Sequence, residues 1–98
     1  MPQAEDYPTK GALRAIRGWR LYEGDSWHGL MRYVREFWNY ADIGYFRQEG
    51  SMYYLSTAGW SGNEEIIKAL QKNYTFWIMC WVSSRRGGHY EFEIPPVG

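Results

Sequence analysis

The fold is decided by one stretch near the C-terminus, residues 75–94, which read TFWIMCWVSSRRGGHYEFEI. Thr75–Val82 is almost wholly apolar, which is typical of a strand that is buried on both faces. His89–Ile94 alternates between polar and apolar side chains, which is typical of a strand with one buried face. Between them, Ser83–Gly88 ends in two glycines that favour a chain reversal. The stretch therefore predicts a β-hairpin.

In the preferred register of this hairpin, Trp81 lies opposite Phe92 and Met79 lies opposite Ile94. The strongly apolar face then consists of Trp77, Met79, Trp81, Tyr90, Phe92 and Ile94. A loop with an odd number of residues exchanges the pairing, so both registers stay open. In either one, Thr75–Val82 is apolar on both sides, and its second face needs cover from a helix, a partner or another subunit. A homodimer that uses the same patch in each copy is one such cover.

Residues 26–40 carry the clearest helical pattern. Its apolar stripe consists of Trp27, Leu30, Met31, Val34, Phe37 and Trp38. These positions recur at the spacing of one helix face. Asp25 or Ser26 offers the side-chain oxygen for an N-cap. Phe37 and Trp38 are predicted to be largely buried against the sheet.

A second hairpin is predicted at Ile43–Gln48 and Met52–Thr57, because two Tyr-rich segments flank a turn containing Gly50. A second main helix is predicted at residues 61–72. Ser61 and Glu64 have the spacing of a capping box at its start. Asn73 is a plausible left-handed residue at its end.

A short N-terminal helix is predicted from Lys10 to a loose end at Gly18. On this helix the four cations Lys10, Arg14, Arg17 and Arg20 form one basic stripe. The element order predicts an α+β fold with a four-stranded, mainly antiparallel sheet made of two hairpins, two main helices and this short helix. Residues 1–9 are predicted to form a disordered arm, and residues 10–98 a single domain.

Composition limits the function. Lys+Arg and Asp+Glu each number 11, so the chain lacks the basic excess of a general polyanion binder. One cysteine excludes an internal disulfide and fits a reducing compartment. The longest apolar run is too short to span a membrane, and no leader pattern is visible. We expect a cytoplasmic protein that does not bind a membrane.

No catalytic or metal-binding pattern is present, so no enzymatic activity, metal or cofactor is predicted. Cys80 lies among apolar residues, which favours an inert thiol. His28 and His89 lack the spacing of metal ligands. Gly59–Glu64 is glycine-rich and opens a helix, but it lacks a phosphate-binding motif. Trp60, between glycines, is expected to dock on another surface.

Six Trp and nine Tyr in 98 residues indicate a binding protein, because these residues anchor interfaces. The candidate binding residues are Arg85, Arg86, His89, Tyr90, Trp60 and Trp81. Both arginines are expected to be exposed in the turn. Two guanidiniums near aromatic rings suit a nucleotide or short nucleic acid. The alternative interpretation is a solvated turn. The N-terminal basic stripe can likewise be either a solvated helix face or a binding site for an anionic ligand.

Two segments, STAGWSGNEEIIKAL at Ser56–Leu70 and FWIMCWVSSRRGGHYEFEI at Phe76–Ile94, resemble small uncharacterised proteins encoded by bacteriophages. The likeness covers roughly Tyr40 to Ile94 and carries no active-site motif. It implies an accessory protein that binds and inhibits a protein of the bacterial host, such as a defence component. A nucleotide-binding or sequestering protein that uses the Arg85–Arg86 turn is the alternative.

Overall fold

The computed structural model describes residues 8–96. Its elements are α1 (Lys10–Arg17), α2 (His28–Phe37), a 3-10 turn (Ala41–Ile43), β1 (Phe46–Glu49), β2 (Met52–Ser56), α3 (Ser61–Lys72), α4 (Tyr74–Cys80), β3 (Trp81–Arg85) and β4 (His89–Glu93). Residues 1–7 of the predicted arm lie outside the described part of the chain. The last two residues of the predicted arm are ordered parts of the fold. Pro8 is buried, and the Thr9 hydroxyl accepts the Ala12 backbone N–H and caps α1.

The four strands form one antiparallel sheet in the order β1-β2-β4-β3. The predicted α+β fold is thus confirmed, with both hairpins joined through β2 and β4. Trp81 pairs with Phe92, as the preferred register predicted. The ladder then shifts by one residue, so that Ser83 pairs with Glu91 and Val82 is the extra residue of a bulge.

The prediction of a strand at Thr75–Val82 was wrong, because most of this segment is α4. Phe76 and Cys80, four residues apart, are buried, while Tyr74 and Ile78 point to solvent. A continuous apolar run does not distinguish a strand from a helix, and here the helical spacing of the buried residues decides. The predicted pairing of Met79 with Ile94 fails for the same reason.

The start of α3 also differs from the prediction. The N-cap residue is Trp60, and no side chain caps the helix, so the capping box of Ser61 and Glu64 does not form. The first turn instead docks on the chain that follows α2. The Oδ1 atom of Asn63 accepts the backbone N–H of Asn39 at 2.8 Å, and its amide donates to the Asn39 carbonyl at 3.3 Å.

The ends of α2 and α3 were predicted only in part, and α2 spans His28–Phe37 rather than residues 26–40. The Ser26 hydroxyl accepts the backbone N–H of His28, although Trp27 is the N-cap residue of α2. Asn73 ends α3 as expected, but its φ of −85° is not left-handed. The helix ends at Asn73 because its side chain caps α4 instead, as the Oδ1 atom accepts the Phe76 backbone N–H.

The core lies between the helices and one face of the sheet. It is built from Ile16, Trp27, Leu30, Met31, Val34, Trp38, Phe46, Tyr53, Leu55, Ile66, Ile67, Ala69, Leu70, Phe76, Cys80, Phe92 and Ile94. Trp38 is 4% exposed, which confirms its predicted burial, whereas Phe37 is only half-buried. The opposite face of the sheet is open, and it carries polar side chains of all four strands.

Candidate binding surfaces

An exposed apolar surface covers the outer side of α4 and the start of β3. We call it the α4 surface, and it consists of Tyr74, Ile78, Trp81 and Val82. Ile78 is 81% exposed and Tyr74 is 73% exposed, although both are large and apolar. Soluble monomers rarely leave such residues together in water, and where they do the surface is often an interaction site.

Trp81 is held in place within this surface. Its ring stacks on Trp77 at 6.0 Å between centroids, with an angle of 16° between the planes. Trp77 in turn contacts Tyr90 and Phe92 edge-on. The indole N–H of Trp81 donates to the Ser84 hydroxyl at 2.8 Å. The Trp81 side chain is therefore preorganised, a property that lowers the entropy cost of binding at protein interfaces in general.

β3 is an edge strand, because only β4 pairs with it in the sheet. Its outer side presents backbone groups that can accept another strand. The α4 surface lies directly beside this edge, since α4 runs into β3 without a connecting loop. The apolar surface and the open strand edge are thus neighbouring candidate binding features.

The predicted site at the Arg85–Arg86 turn is only partly assembled. Both arginines are exposed, as expected. Arg85 and His89 are paired across the hairpin, and they border a groove of about 460 Å³ on the open face of the sheet. Trp81 faces the other side of the sheet, where its neighbours are Trp77 and the buried Phe92. The turn and that aromatic ring therefore do not share one site.

The charges of this groove largely cancel. Arg47 lies 3.2 Å from Glu49 and packs over the Tyr54 ring at 4.7 Å. Arg85 lies 3.8 Å from Glu91, which also accepts a hydrogen bond from Ser83. A phosphate placed here would meet carboxylates as well as guanidiniums, which is unfavourable. The groove is thus a poor anion site.

Trp60 docks as expected, but away from the other candidates. It packs on Tyr40 at 5.3 Å between ring centroids and remains 39% exposed. Tyr40 has a left-handed backbone, with φ of 63°. This conformation is uncommon for a residue other than glycine. The pair forms a separate aromatic patch after α2.

The basic stripe borders a second cavity. All four cations, Lys10, Arg14, Arg17 and Arg20, are exposed. Arg17 and Arg20 lie at the mouth of a pocket of about 520 Å³, together with Lys72 from the end of α3. We call it the α1–α3 pocket. Sequence reasoning found two of its cations but not Lys72, because the meeting of α1 with α3 is not visible in the chain order.

Cys80 and the histidines fit structural roles. Cys80 is buried, and burial raises the pKa of its thiol to about 12. A reactive thiol needs the opposite shift, so this thiol is inert at neutral pH. The Nδ1 atom of His28 lies 2.6 Å from the Tyr53 hydroxyl, whose pKa is raised by burial. Within residues 8–96, no cluster of His, Cys, Asp or Glu could hold a metal ion.

No helix in the described range is long and apolar enough to cross a bilayer. Comparison with known proteins gives no match to the chain among protein-family models, curated proteins or solved structures. The resemblance to bacteriophage proteins therefore stays a prediction, and function has to be argued from the surfaces themselves.

Proposed function

We propose that this protein is a non-enzymatic binding protein that engages another protein through the α4 surface and the outer edge of β3. The observation that carries the proposal is the exposure of Ile78 and Tyr74 beside the fixed Trp81. Binding would bury these side chains, and apolar burial is worth about 25 cal/mol per Å² before the costs of association.

The edge of β3 indicates how the partner binds. A strand added there would complete the backbone hydrogen bonds of the sheet, while its flanking residues cover Ile78 and Val82. Arg86 lies just beyond the far end of the same edge and forms no ion pair within residues 8–96, so it favours an acidic partner.

A second copy of this chain is the alternative occupant of the edge. Antiparallel pairing of two β3 strands would set Arg85 of each copy near Trp81 of the other, at opposite ends of the seam, so charge repulsion does not oppose a dimer. We propose a partner outside this chain and make the dimer an outcome of the test. On the strength of the resemblance to bacteriophage proteins, we propose a bacterial host protein, such as a defence component, which is inhibited by the contact.

The test starts with affinity capture from bacterial lysate, after which the captured protein is purified and titrated by calorimetry. Ile78→Glu should weaken binding at least about 30-fold, as expected for a residue at the centre of an interface. Ile43→Glu is the matched control, because Ile43 is also apolar and 68% exposed but lies in the 3-10 turn. This control should change the affinity less than about twofold.

Hydrogen exchange tests the strand addition. The outward backbone amides of β3 should become protected in the complex, and those of β1, at the other edge, should not. Equal losses of affinity in Ile78→Glu and Ile43→Glu would contradict the proposal. So would light scattering that shows a dimer at micromolar concentration, if Ile78→Glu converts it to a monomer of 11.6 kDa.

A further inference from the structure

We infer that the α1–α3 pocket binds a nucleoside phosphate, with the phosphate among its three cations and the base against its aromatic side chains. This inference does not depend on the protein partner proposed above. It also differs from the predicted nucleotide site at the Arg85–Arg86 turn, where the Glu91 carboxylate lies 3.8 Å from Arg85.

The cations of the pocket are free to meet an anion. Arg17, Arg20 and Lys72 border it, and no carboxylate of the described residues lines it. None of the three forms an ion pair with a residue in the range 8–96. Guanidinium groups bind phosphate oxygens in a bidentate manner, and charge-assisted bonds of this kind are about twice as strong as neutral ones.

The helix ends oppose this attraction but do not outweigh it. α1 and α3 both end at the pocket, and each C-terminus carries about half a negative charge from the helix dipole. The negative charge at the end of α1 is partly compensated, because the Asn73 amide donates to the carbonyls of Ile16 and Trp19 at 3.0 Å. Three full positive charges against about one negative charge leave the pocket electropositive.

Two aromatic side chains supply a surface for a base. Trp19 lines the pocket and is supported from behind by Tyr33, at 5.3 Å between ring centroids. Tyr74 lines it as well and is mostly exposed. Stacking of a base on an aromatic side chain is worth about 1–3 kcal/mol. The volume of about 520 Å³ lies in the usual range for small-ligand sites.

The wall of the pocket also holds an unpaired donor. Trp27 is 3% exposed and forms part of the lining. Its indole Nε1 is buried and lacks an acceptor among the described residues. A buried donor without a partner costs about 1–3 kcal/mol. Because this atom is enclosed by the protein, a ligand in the pocket is held by the three cations and the aromatic rings.

The test is calorimetric titration with AMP, adenosine and inorganic phosphate. AMP should bind with micromolar affinity, and each of its halves at least about tenfold more weakly, because cations and rings act on different parts of the ligand. Arg17→Ala should weaken AMP binding at least about tenfold. Arg14→Ala is the matched control, since Arg14 belongs to the same helix and stripe but does not line the pocket.

A single-stranded oligodeoxyadenylate distinguishes a free nucleotide from the end of a nucleic acid. If the oligonucleotide competes with AMP and is weakened equally by Arg17→Ala, the ligand is a strand end that reaches the same pocket. If it does not compete, the ligand is the free nucleotide. Trp19→Leu should weaken binding of AMP but not of phosphate.

Three results would overturn the inference. The first is an affinity of AMP and oligonucleotide weaker than about 1 mM. The second is an equal loss in Arg17→Ala and Arg14→Ala, which would indicate a diffuse charge effect. The third is phosphate binding as tight as AMP binding. Ile78→Glu should leave AMP binding unchanged, because Ile78 does not line the pocket, so this result is separate from the test of the protein partner.

Discussion

At the scale of single residues, Asn73 holds three helices together. Its side chain accepts the N–H of Phe76 in the first turn of α4, and it donates to the carbonyls of Ile16 in α1 and of Trp19 just after it. Its own N–H bonds to the last turn of α3. The sequence predicted only a helix end here, because side-chain bonds to residues more than fifty positions away leave no local pattern.

We expect Asn73→Ala to lower the free energy of unfolding by about 3 kcal/mol, since three bonds of about 1 kcal/mol each are lost and their buried partners are left unpaired. Urea unfolding followed by circular dichroism measures the change. Gln71→Ala is the control, because Gln71 is exposed and neighbouring in sequence. A loss below about 1 kcal/mol would mean that water replaces the amide at no cost.

Cys80 makes stability depend on pH in the alkaline range. Burial raises the pKa of its thiol from 9.0 to about 12. Between these values the unfolded chain releases the proton and the folded chain keeps it. The unfolded state therefore binds fewer protons, and stability falls as pH rises through this window, by up to about 1.4 kcal/mol per pH unit.

Urea unfolding at about pH 8 and about pH 11 tests this dependence against Cys80→Ala, which has no thiol to titrate. The wild type should lose more stability than the variant over this range. Burial also raises the pKa of Tyr53, but this effect is common to both proteins. Parallel curves for the two proteins would show that the thiol titrates normally in the folded state.

At the scale of elements, α1 and α3 differ in how their N-termini are capped. The Thr9 hydroxyl accepts the Ala12 N–H at 3.0 Å, whereas Ser61 caps nothing. We expect Thr9→Ala to cost about 1 kcal/mol and Ser61→Ala to stay within about 0.5 kcal/mol. Thermal unfolding of both variants checks the difference. A larger loss of stability in Ser61→Ala than in Thr9→Ala would instead support the capping box that the sequence predicted.

The elements also show what local patterns predict and what they miss. The amphipathic stripe of α2 and the alternation of β4 identified those elements, because each has a single buried face. Residues 75–82 were misassigned because Ile78, Trp81 and Val82 are apolar yet exposed. A pattern argument assumes that apolar side chains are buried, and it fails where several of them stay exposed on one surface.

At the scale of the whole molecule, Trp38 joins the helical layer to the sheet. It is buried, packs edge-on against Phe46 of β1, and its indole N–H donates to the Ser56 carbonyl of β2 at 3.2 Å. We expect Trp38→Ala to lose about 3–5 kcal/mol, a large share of the stability of a small domain. Denaturant unfolding measures this loss. An unchanged midpoint would place Trp38 outside the cooperative core.

The candidate sites were predicted only in part, because they also depend on how distant parts of the chain come together. Exposure of Arg85 and Arg86 follows from their position in a turn, and it is confirmed. The separation of Arg85 from Trp81 depends on the bulge at Val82, which places these two residues on opposite faces although they are four positions apart. The cluster of Arg17 with Lys72 depends on the packing of α1 on α3, a contact between distant parts of the chain.

The direct passage from α4 into β3 has a consequence for folding. Residues 74–82 have the β-propensity and low charge of a segment that self-assembles, and they are helical only where Asn73 caps them and Phe76 and Cys80 find the core. A peptide of residues 74–85 should therefore form β-rich aggregates in water, which circular dichroism and thioflavin fluorescence would detect. A helical peptide would show that the helix is encoded locally, and a soluble random coil would contradict the predicted self-assembly. In the full chain, the contacts of α4 with α3 and the core hold this segment in a helix, and they thereby guard the chain against assembling with copies of itself.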